Sequence, residues 1–453
     1  MKLFEELNKN ANTYSNVIAL KDCSREVSYG QLWNIISVNR NNLIKSGISK
    51  RVVAYKIAGQ FDFIIDFISL LAAECWVIPI PPDIMFNLTS IGNEELTVLN
   101  KNNFIKKTIC NKQKEFYVDE NQCGIYHMTS GSSGEIKLCK RTAYALFLEG
   151  KSYGNLMSLC NSKILSMAPI YHSFALGAAC MASLLSASAL HVIEKFSPRK
   201  SIDIINLWRV NVLVGVPIMI KALSCVNIDR YYDFSCLSNV LVGTGNVNEQ
   251  IAKCFKNRFG IDISANYGST ETGGLISRMG KEPNESIGQA MHGVDIKLIL
   301  PDGSEALEGE IGEAYVKCEY MMEKYVYGEC TFDSEGYLPT GDLMKKDKNG
   351  NYYIVGRKKN IINIGGKKVN PCEVEKIMIM CPDVKDCVVM KGIRKNGDEF
   401  VKAIIVSEKK DVGYIRRFLL EKIAGYKIPS VIEFVDQIER NKTGKYISNN
   451  VVR

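Results

Sequence analysis

Apolar positions change their spacing repeatedly along the first 110 residues. Over 29–45 they recur at helical intervals, with Leu32, Ile35, Ile36 and Leu43 on one stripe. Residues 52–57 form a compact apolar run, which predicts a strand. A helical pattern returns over 61–74, and 76–80 then predicts a short buried strand closed by Pro81-Pro82. Helix and strand alternating in this way predict an α/β layer with parallel strands. The pattern resumes later: 212–216 and 240–242 read as strands, and 248–259 as a helix ahead of Ile263. The run 174–190 is apolar but carries Ser183, Ser186 and Ser188. It falls short of the roughly 20 apolar residues a bilayer requires, so it predicts a buried core helix and no membrane span.

After Asp295 the texture shifts to short strands and glycine turns, at Pro301-Asp302-Gly303, Glu308-Gly309 and Lys348-Asn349-Gly350. That predicts a small antiparallel or barrel unit. From about Lys359 the pattern is that of a compact α+β unit with helices over 371–380 and 413–423. The expected architecture is therefore a large N-terminal region of two α/β layers plus a small β unit, followed by a small α+β domain. The division falls at 358, giving domains 1–358 and 359–453.

Composition narrows the class. A chain of 453 residues, 46% hydrophobic and 23% charged, suits a well-packed soluble protein of several domains. The first ten residues have mixed charge and no apolar h-region, so no export or transit signal is expected and a cytoplasmic location is. The 15 cysteines include no C-x-x-C pair, and His127, His172, His191 and His292 are scattered. Reduced thiols are expected, and neither a disulfide framework nor a zinc site.

Charge is unevenly placed. From Arg357 onward there are 21 Lys and Arg against 12 Asp and Glu, a balance of +9, which leaves −1 for the rest of a chain whose net charge is +8. A basic tail attracts nucleic acid, membrane surface, or any acidic or phosphate-rich partner, and charge alone does not choose among them.

Thr129-Ser130-Gly131-Ser132-Ser133-Gly134-Glu135-Ile136-Lys137 carries the first chemical signal. Hydroxyls, backbone N–H groups freed by glycine and a nearby lysine make a loop that can accept a polyphosphate. It is not a Walker A loop, since the lysine does not directly follow the second glycine and no Ser or Thr follows the lysine. A Ser/Gly run alone is more often a solvated turn. More motifs follow in order: Pro169-Ile170-Tyr171-His172-Ser173-Phe174, then Gly243-Thr244-Gly245, then Asn266-Tyr267-Gly268-Ser269-Thr270-Glu271-Thr272. Beyond these come Tyr337-Leu338-Pro339-Thr340-Gly341-Asp342, Gly356-Arg357-Lys358-Lys359, Gly365-Gly366 and Asn441-Lys442-Thr443-Gly444-Lys445.

This ordered set resembles the adenylate-forming superfamily: acyl- and aryl-CoA synthetases, peptide-synthetase adenylation domains and luciferase. The resemblance covers nearly the whole chain. Ile136 stands where the family's phosphate loop has proline and Leu138 where it has its last glycine. The region 310–342 is shorter than usual, and Ser448 replaces an arginine that often follows the last lysine.

Such a resemblance implies ATP, Mg2+ and a carboxylic acid as reactants. The carboxylate attacks the α-phosphorus to give acyl-AMP, and a thiol then displaces AMP. Two anions must meet, so the demand is for cations, a metal and aimed donors. Glu271 is the expected magnesium ligand and Thr270 an α-phosphate donor. Tyr267 would face adenine, with Asn266 and Gly268 beside it and the Gly243-Thr244-Gly245 backbone opposite. Asp342 would accept from the ribose hydroxyls, with Arg357 supporting the same sugar. His172 stands where the family has a residue beside the substrate carboxylate, and Lys445 where its mobile-domain lysine reaches the reacting groups. Lys359 is the expected hinge and Gly366 part of a tunnel wall for a pantetheine arm.

No acid adjoins Tyr171-His172-Ser173-Phe174, which favours a fatty, aryl or related acid over an α-amino acid. The acceptor is coenzyme A or the phosphopantetheine of an acidic acyl carrier protein, and the basic tail suits either. Two other classes compete. A catalytically silent nucleotide or acyl-adenylate sensor should lack some of Thr270, Glu271, Asp342, Arg357 and Lys445, yet all are present. A nucleic-acid-binding protein should interleave aromatics with the basic charge, whereas Tyr414 and Tyr426 are isolated, so no nucleic-acid partner is expected.

Overall fold

In a computed structural model of the chain, residues 2–439 are described apart from 83, 85–89, 92–93, 106–115, 131–135, 229, 246–248, 281, 284, 327–331 and 395. They divide into two compact units, Met1–Asp295 with Lys317–Thr331, and Ile296–Val316 with Phe332–Arg453.

The first unit is built on two sheets. One has nine strands, in the order Gln289–Ala290, Gly273–Arg278, Ser264–Ser269, Asn239–Val242, Val212–Gly215, Lys163–Ser166, Ala189–Val192, Ile18–Lys21, Glu26–Ser28. Its interior pairs are parallel, and antiparallel strands close both ends. The other has six strands, in the order Lys324–Tyr325, Ile136–Thr142, Gly124–Ser130, Trp76–Ile80, Val52–Lys56, Thr97–Asn100.

Period-two alternation decides what each strand buries. Val53, Tyr55, Val77 and Ile125 of the six-stranded sheet share one core with Ile164, Val212, Val214 and Leu241 of the nine-stranded sheet. Their neighbours in sequence face the other way. Val52, Ala54, Ile78, Ile80 and Tyr126 form a core on the outer face of one sheet, and Leu165, Leu213, Val240 and Val242 one on the outer face of the other. The helix Gln60–Ala72 is buried along its whole length and belongs to the shared core, which is why its sequence is apolar on every side.

Sequence and structure agree most closely where a local cap or breaker fixes the boundary. The helix Tyr29–Lys45 starts on Ser28, whose side chain accepts from the Gln31 amide while Gln31 returns to the Ser28 amide. The strand Trp76–Ile80 stops at the proline pair.

The apolar run 174–190 departs from the single helix expected of it. Helix from Ser173 passes through a π-helical stretch, Leu176–Met181, and ends at Leu185. Ala187 adopts a positive φ of 49°, and the strand Ala189–Val192 follows. The departure coincides with crowding, since a Cβ on Gly177 would lie 2.5 Å from the Glu149 carboxyl carbon.

In the second unit, Asp295–Ile299, Gly312–Lys317, Leu338–Lys346 and Tyr352–Arg357 form an open four-stranded sheet and not a barrel. The tail adds the hairpin Ile362–Ile364 with Lys367–Val369, and a three-stranded sheet of Val384–Ile393, Glu399–Ser407 and Val431–Phe434. Helices Pro371–Ile379 and Val412–Leu420 pack on it around Val374, Met378, Ile415 and Leu419. The second helix ends three residues earlier than its apolar spacing suggests, at Leu420. The overall class is α/β with a large N-terminal domain and a small C-terminal one. Among the described residues no helix is long and apolar enough to cross a membrane.

Candidate active site

Register places the chemistry of the first unit on one sheet face. Thr129 pairs with Lys137, His127 with Cys139, and Ile125 with Arg141. Tyr325 pairs with Cys139 from the other side. Directly paired residues share a face, so Thr129, Lys137, His127, Cys139, Arg141 and Tyr325 project together. Tyr126 and Leu138 face the opposite core.

Against that face stands a tight hairpin. Strands Ser264–Ser269 and Gly273–Arg278 pair from Ser269↔Gly273 outward, leaving Thr270, Glu271 and Thr272 as a three-residue tip. Gly273 closes the turn at φ +70°, and a Cβ there would lie 2.6 Å from Glu149 Oε1. Both facts require glycine. The Thr272 hydroxyl accepts from the Ser269 amide at 3.1 Å, which stiffens the tip.

Three links tie the tip to its surroundings. Tyr325 Oη donates to Glu271 Oε1 at 2.7 Å, and Lys137 Nζ lies 5.0 Å from the centre of the same tyrosine ring. The Met322 amide donates to the Glu271 carbonyl at 2.6 Å. Ser173 Oγ approaches Thr270 Oγ1 at 3.5 Å, which sets the His172-Ser173 turn beside Thr270. The exposed ring of His172 packs on Tyr171 at 4.8 Å.

Asn266 lies behind the tip. It is buried, accepts from Tyr153 Oη at 2.9 Å and donates to the Ile276 carbonyl at 3.3 Å. Phe174 lies against Gly243, where a Cβ would come within 2.7 Å of the ring. Thr244 and Gly245 are exposed beyond it, with Thr244 at φ 66°.

Beneath lies a buried ion pair that sequence reasoning missed. Arg141 Nη2 donates to Glu149 Oε2 at 2.8 Å with neither side chain exposed. The same nitrogen donates to the Tyr320 carbonyl at 2.7 Å, and Glu149 Oε1 accepts from the Gly274 amide at 3.2 Å. Burial alone would lower the Arg141 pKa, but its neighbours, Glu149 foremost, raise it on balance. Neighbouring His127 is held neutral, its pKa pushed well down by burial, then by Arg141 and His172. Strand alternation from Lys137 would have put Arg141 on the working face. Tyr325 and Glu149 lie too far off in sequence to leave a local mark.

In the second unit Asp342 and Arg357 are cross-strand partners. Arg357 Nε donates to Asp342 Oδ1 at 2.8 Å, so the buried carboxylate that was expected to take a ribose is already oriented by the arginine expected beside it. Gly356 lies against the Asn370 side chain, with a Cβ there only 2.6 Å from Oδ1. Lys359 is exposed in a short 3-10 turn, next to Lys358, whose ammonium is 2.7 Å from Glu313. Gly365 and Gly366 form a two-residue hairpin turn, both at positive φ (56° and 85°), with the Gly366 amide donating to Asn363 Oδ1 at 2.9 Å.

Residues 131–135 of the phosphate loop, namely Gly131, Ser132, Ser133, Gly134 and Glu135, lie outside the described residues, as does Lys445. Nothing is described of the Ser130 side chain.

Magnesium needs one or two carboxylates together with phosphate oxygens. Glu271 provides one, beside the Thr270 hydroxyl. Among the described residues no group of three or more His, Cys, Asp or Glu converges. The donor set therefore fits a cation that shares its shell with a polyphosphate.

Residues 83–326 match the AMP-binding enzyme family, and residues 373–445 match the AMP-binding enzyme C-terminal domain. A feruloyl-CoA synthase of Amycolatopsis is 29% identical over 345 residues, covering 72% of this chain and 68% of that protein. A long-chain-fatty-acid–CoA ligase of Haemophilus influenzae is 30% identical over 301 residues, 64% of this chain and 53% of that one. The fold superposes on o-succinylbenzoate coenzyme A synthetase of Bacillus subtilis, in complex with ATP and magnesium, with a TM-score of 0.83 at 20% identity, covering 98% of both chains.

Proposed function

The chain belongs to the AMP-binding enzyme family, the AMP-forming acyl-CoA ligases of the adenylate-forming superfamily, and on that premise we propose that it activates a carboxylic acid without an α-amino group and passes the acyl group to coenzyme A or a carrier-bound phosphopantetheine. The observation that carries this reading is the hairpin tip, where Glu271 and Thr270 stand beside Lys137 and the His172-Ser173 turn.

Magnesium, when bound with ATP, supplies charge neutralisation at the phosphates. The chain's own residues do the rest. Glu271 offers a carboxylate to the cation, and Thr129, Ser130, Gly131, Ser132, Ser133, Gly134 and Lys137 cradle the outer phosphates. Thr270 donates to the α-phosphate. Tyr267 and the Gly243-Thr244-Gly245 backbone flank adenine, with Asn266 and Gly268 shaping that wall. Asp342, oriented by Arg357, accepts from the ribose hydroxyls. His172 lies beside the acid, and Lys445 brings an ammonium to the carboxylate and α-phosphate. We place the hinge at Lys359, dividing domains 1–358 and 359–453, and assign Gly366 to the pantetheine path of the second half-reaction.

Amino-acid substrates need a free carboxylate for their ammonium. Glu149, a buried carboxylate against the Gly273-Gly274 backbone, is already paired with Arg141. This supports a fatty, aryl or related acid. The test is a panel of such acids and of α-amino acids, following pyrophosphate release without thiol and AMP release with coenzyme A. Turnover confined to amino acids would reject the substrate class. AMP release only with a phosphopantetheinyl carrier protein would fix the acceptor.

A further inference from the structure

We infer that Tyr325 is a positioning residue of the adenylation step: its hydroxyl aims the Glu271 carboxylate while its ring supports the Lys137 ammonium, so that two opposite charges share one mount without cancelling. The inference rests on the reading of Glu271 as a magnesium ligand.

One short segment holds Glu271 at both ends. The Met322 amide donates to its carbonyl at 2.6 Å, and three residues later Tyr325 Oη donates to Oε1 at 2.7 Å. That segment is docked on the phosphate-loop strand, through Glu323 N to Lys140 O at 2.9 Å and Val326 N to Leu138 O at 2.8 Å. The hairpin tip and the strand carrying Lys137 therefore rest on a common support, and Tyr325 is where they meet.

A phenol suits that position physically. As a neutral donor it fixes one carboxylate oxygen and leaves the full negative charge for a cation. A lysine or arginine there would cancel the charge, as Arg141 does for Glu149 below. The ring attracts the Lys137 ammonium through its π face. Among the described residues no ion pair joins Lys137 to Glu271, although both lean on one side chain. Each charge is held in place and still available to its own part of a metal–nucleotide complex.

The test measures binding and not turnover. Mn2+ affinity is read by electron paramagnetic resonance on the full chain with α,β-methylene-ATP, and metal-free affinity for the same nucleotide by calorimetry. Tyr325→Phe keeps the ring and removes the donor. It should weaken Mn2+ about tenfold or more, with metal-free nucleotide affinity unchanged. Tyr325→Leu should weaken both. In a Glu271→Ala background, Tyr325→Phe should cost nothing further, and thermal melting confirms that each variant is folded. If Glu271→Ala weakens Mn2+ but Tyr325→Phe does not, Tyr325 has no positioning role. A Tyr325→Phe loss that persists in the Glu271→Ala background, or that falls equally on metal-free nucleotide, is general loosening and overturns the inference. If Glu271→Ala leaves Mn2+ binding intact, the metal reading itself has failed.

Discussion

Arg141 and Glu149 meet at 2.8 Å with no solvent reaching either side chain, and each also grips a backbone segment that adjoins Glu271. Arg141 holds the Tyr320 carbonyl, just ahead of the segment that supports Glu271. Glu149 holds the Gly274 amide, at the base of the hairpin that carries it. Charges this deep are costly to separate, so the pair works as a clamp whose parts cannot be removed singly.

Glu149→Ala should therefore destabilise the protein by about 3–5 kcal/mol, because it strands a buried guanidinium. The double variant Arg141→Met, Glu149→Leu should recover much of that stability in urea unfolding, yet not the adenylation rate, because the hairpin and the 320 segment lose their shared anchor. Full recovery of pyrophosphate exchange alongside stability would show the clamp to be dispensable for the site.

Glu271→Ala should slow acyl-AMP formation by about 10² or more, the usual cost of removing one electrostatic stabiliser. Pyrophosphate exchange at a near-normal rate would move the metal site elsewhere.

Lys445→Ala should cripple acyl-AMP formation but still transfer the acyl group from supplied acyl-AMP to the thiol. A bulky replacement at Gly366 should do the reverse, and there φ +85° adds backbone strain to any side chain. Lys359→Pro should resemble the Gly366 variant, since proline fixes φ and stops a hinge. Loss of the same half-reaction in equally stable Lys445 and Gly366 variants would end the two-step assignment.

His191 gives a pH test. It is buried edge-on to Trp208 at 5.1 Å, and among the described residues neither ring nitrogen has a hydrogen-bond partner. Burial, then Lys21, lowers its pKa from 6.5 to about 4. The fold thus favours the neutral ring, and its contribution is complete above 6.5 and lost as pH falls toward 4. That contribution amounts to about 3 kcal/mol. Urea unfolding at pH 7 and pH 4.5 should show a smaller acid loss for His191→Leu than for the unmodified protein. Equal losses would assign acid sensitivity to other groups.

What the sequence determined by itself is local or ordinal. The helix Tyr29–Lys45 and the strand Trp76–Ile80 lie where spacing, a capping box and a proline pair put them. The order of the motifs was enough to indicate the family, since each records a backbone or charge requirement within a few residues. The tertiary structure alone decided how those pieces support one another. Tyr325 reaches Glu271 across 54 positions and Arg141 reaches Tyr320 across 179. Strand register brought Asp342 opposite Arg357, and crowding by Glu149 accompanied the π-helical stretch in a run that reads as plain helix. Hydrophobic period and capping act between near neighbours, so they leave a mark in the sequence. A hydrogen bond or ion pair between distant strands depends on register, burial and direction, and these exist only once the sheets have formed.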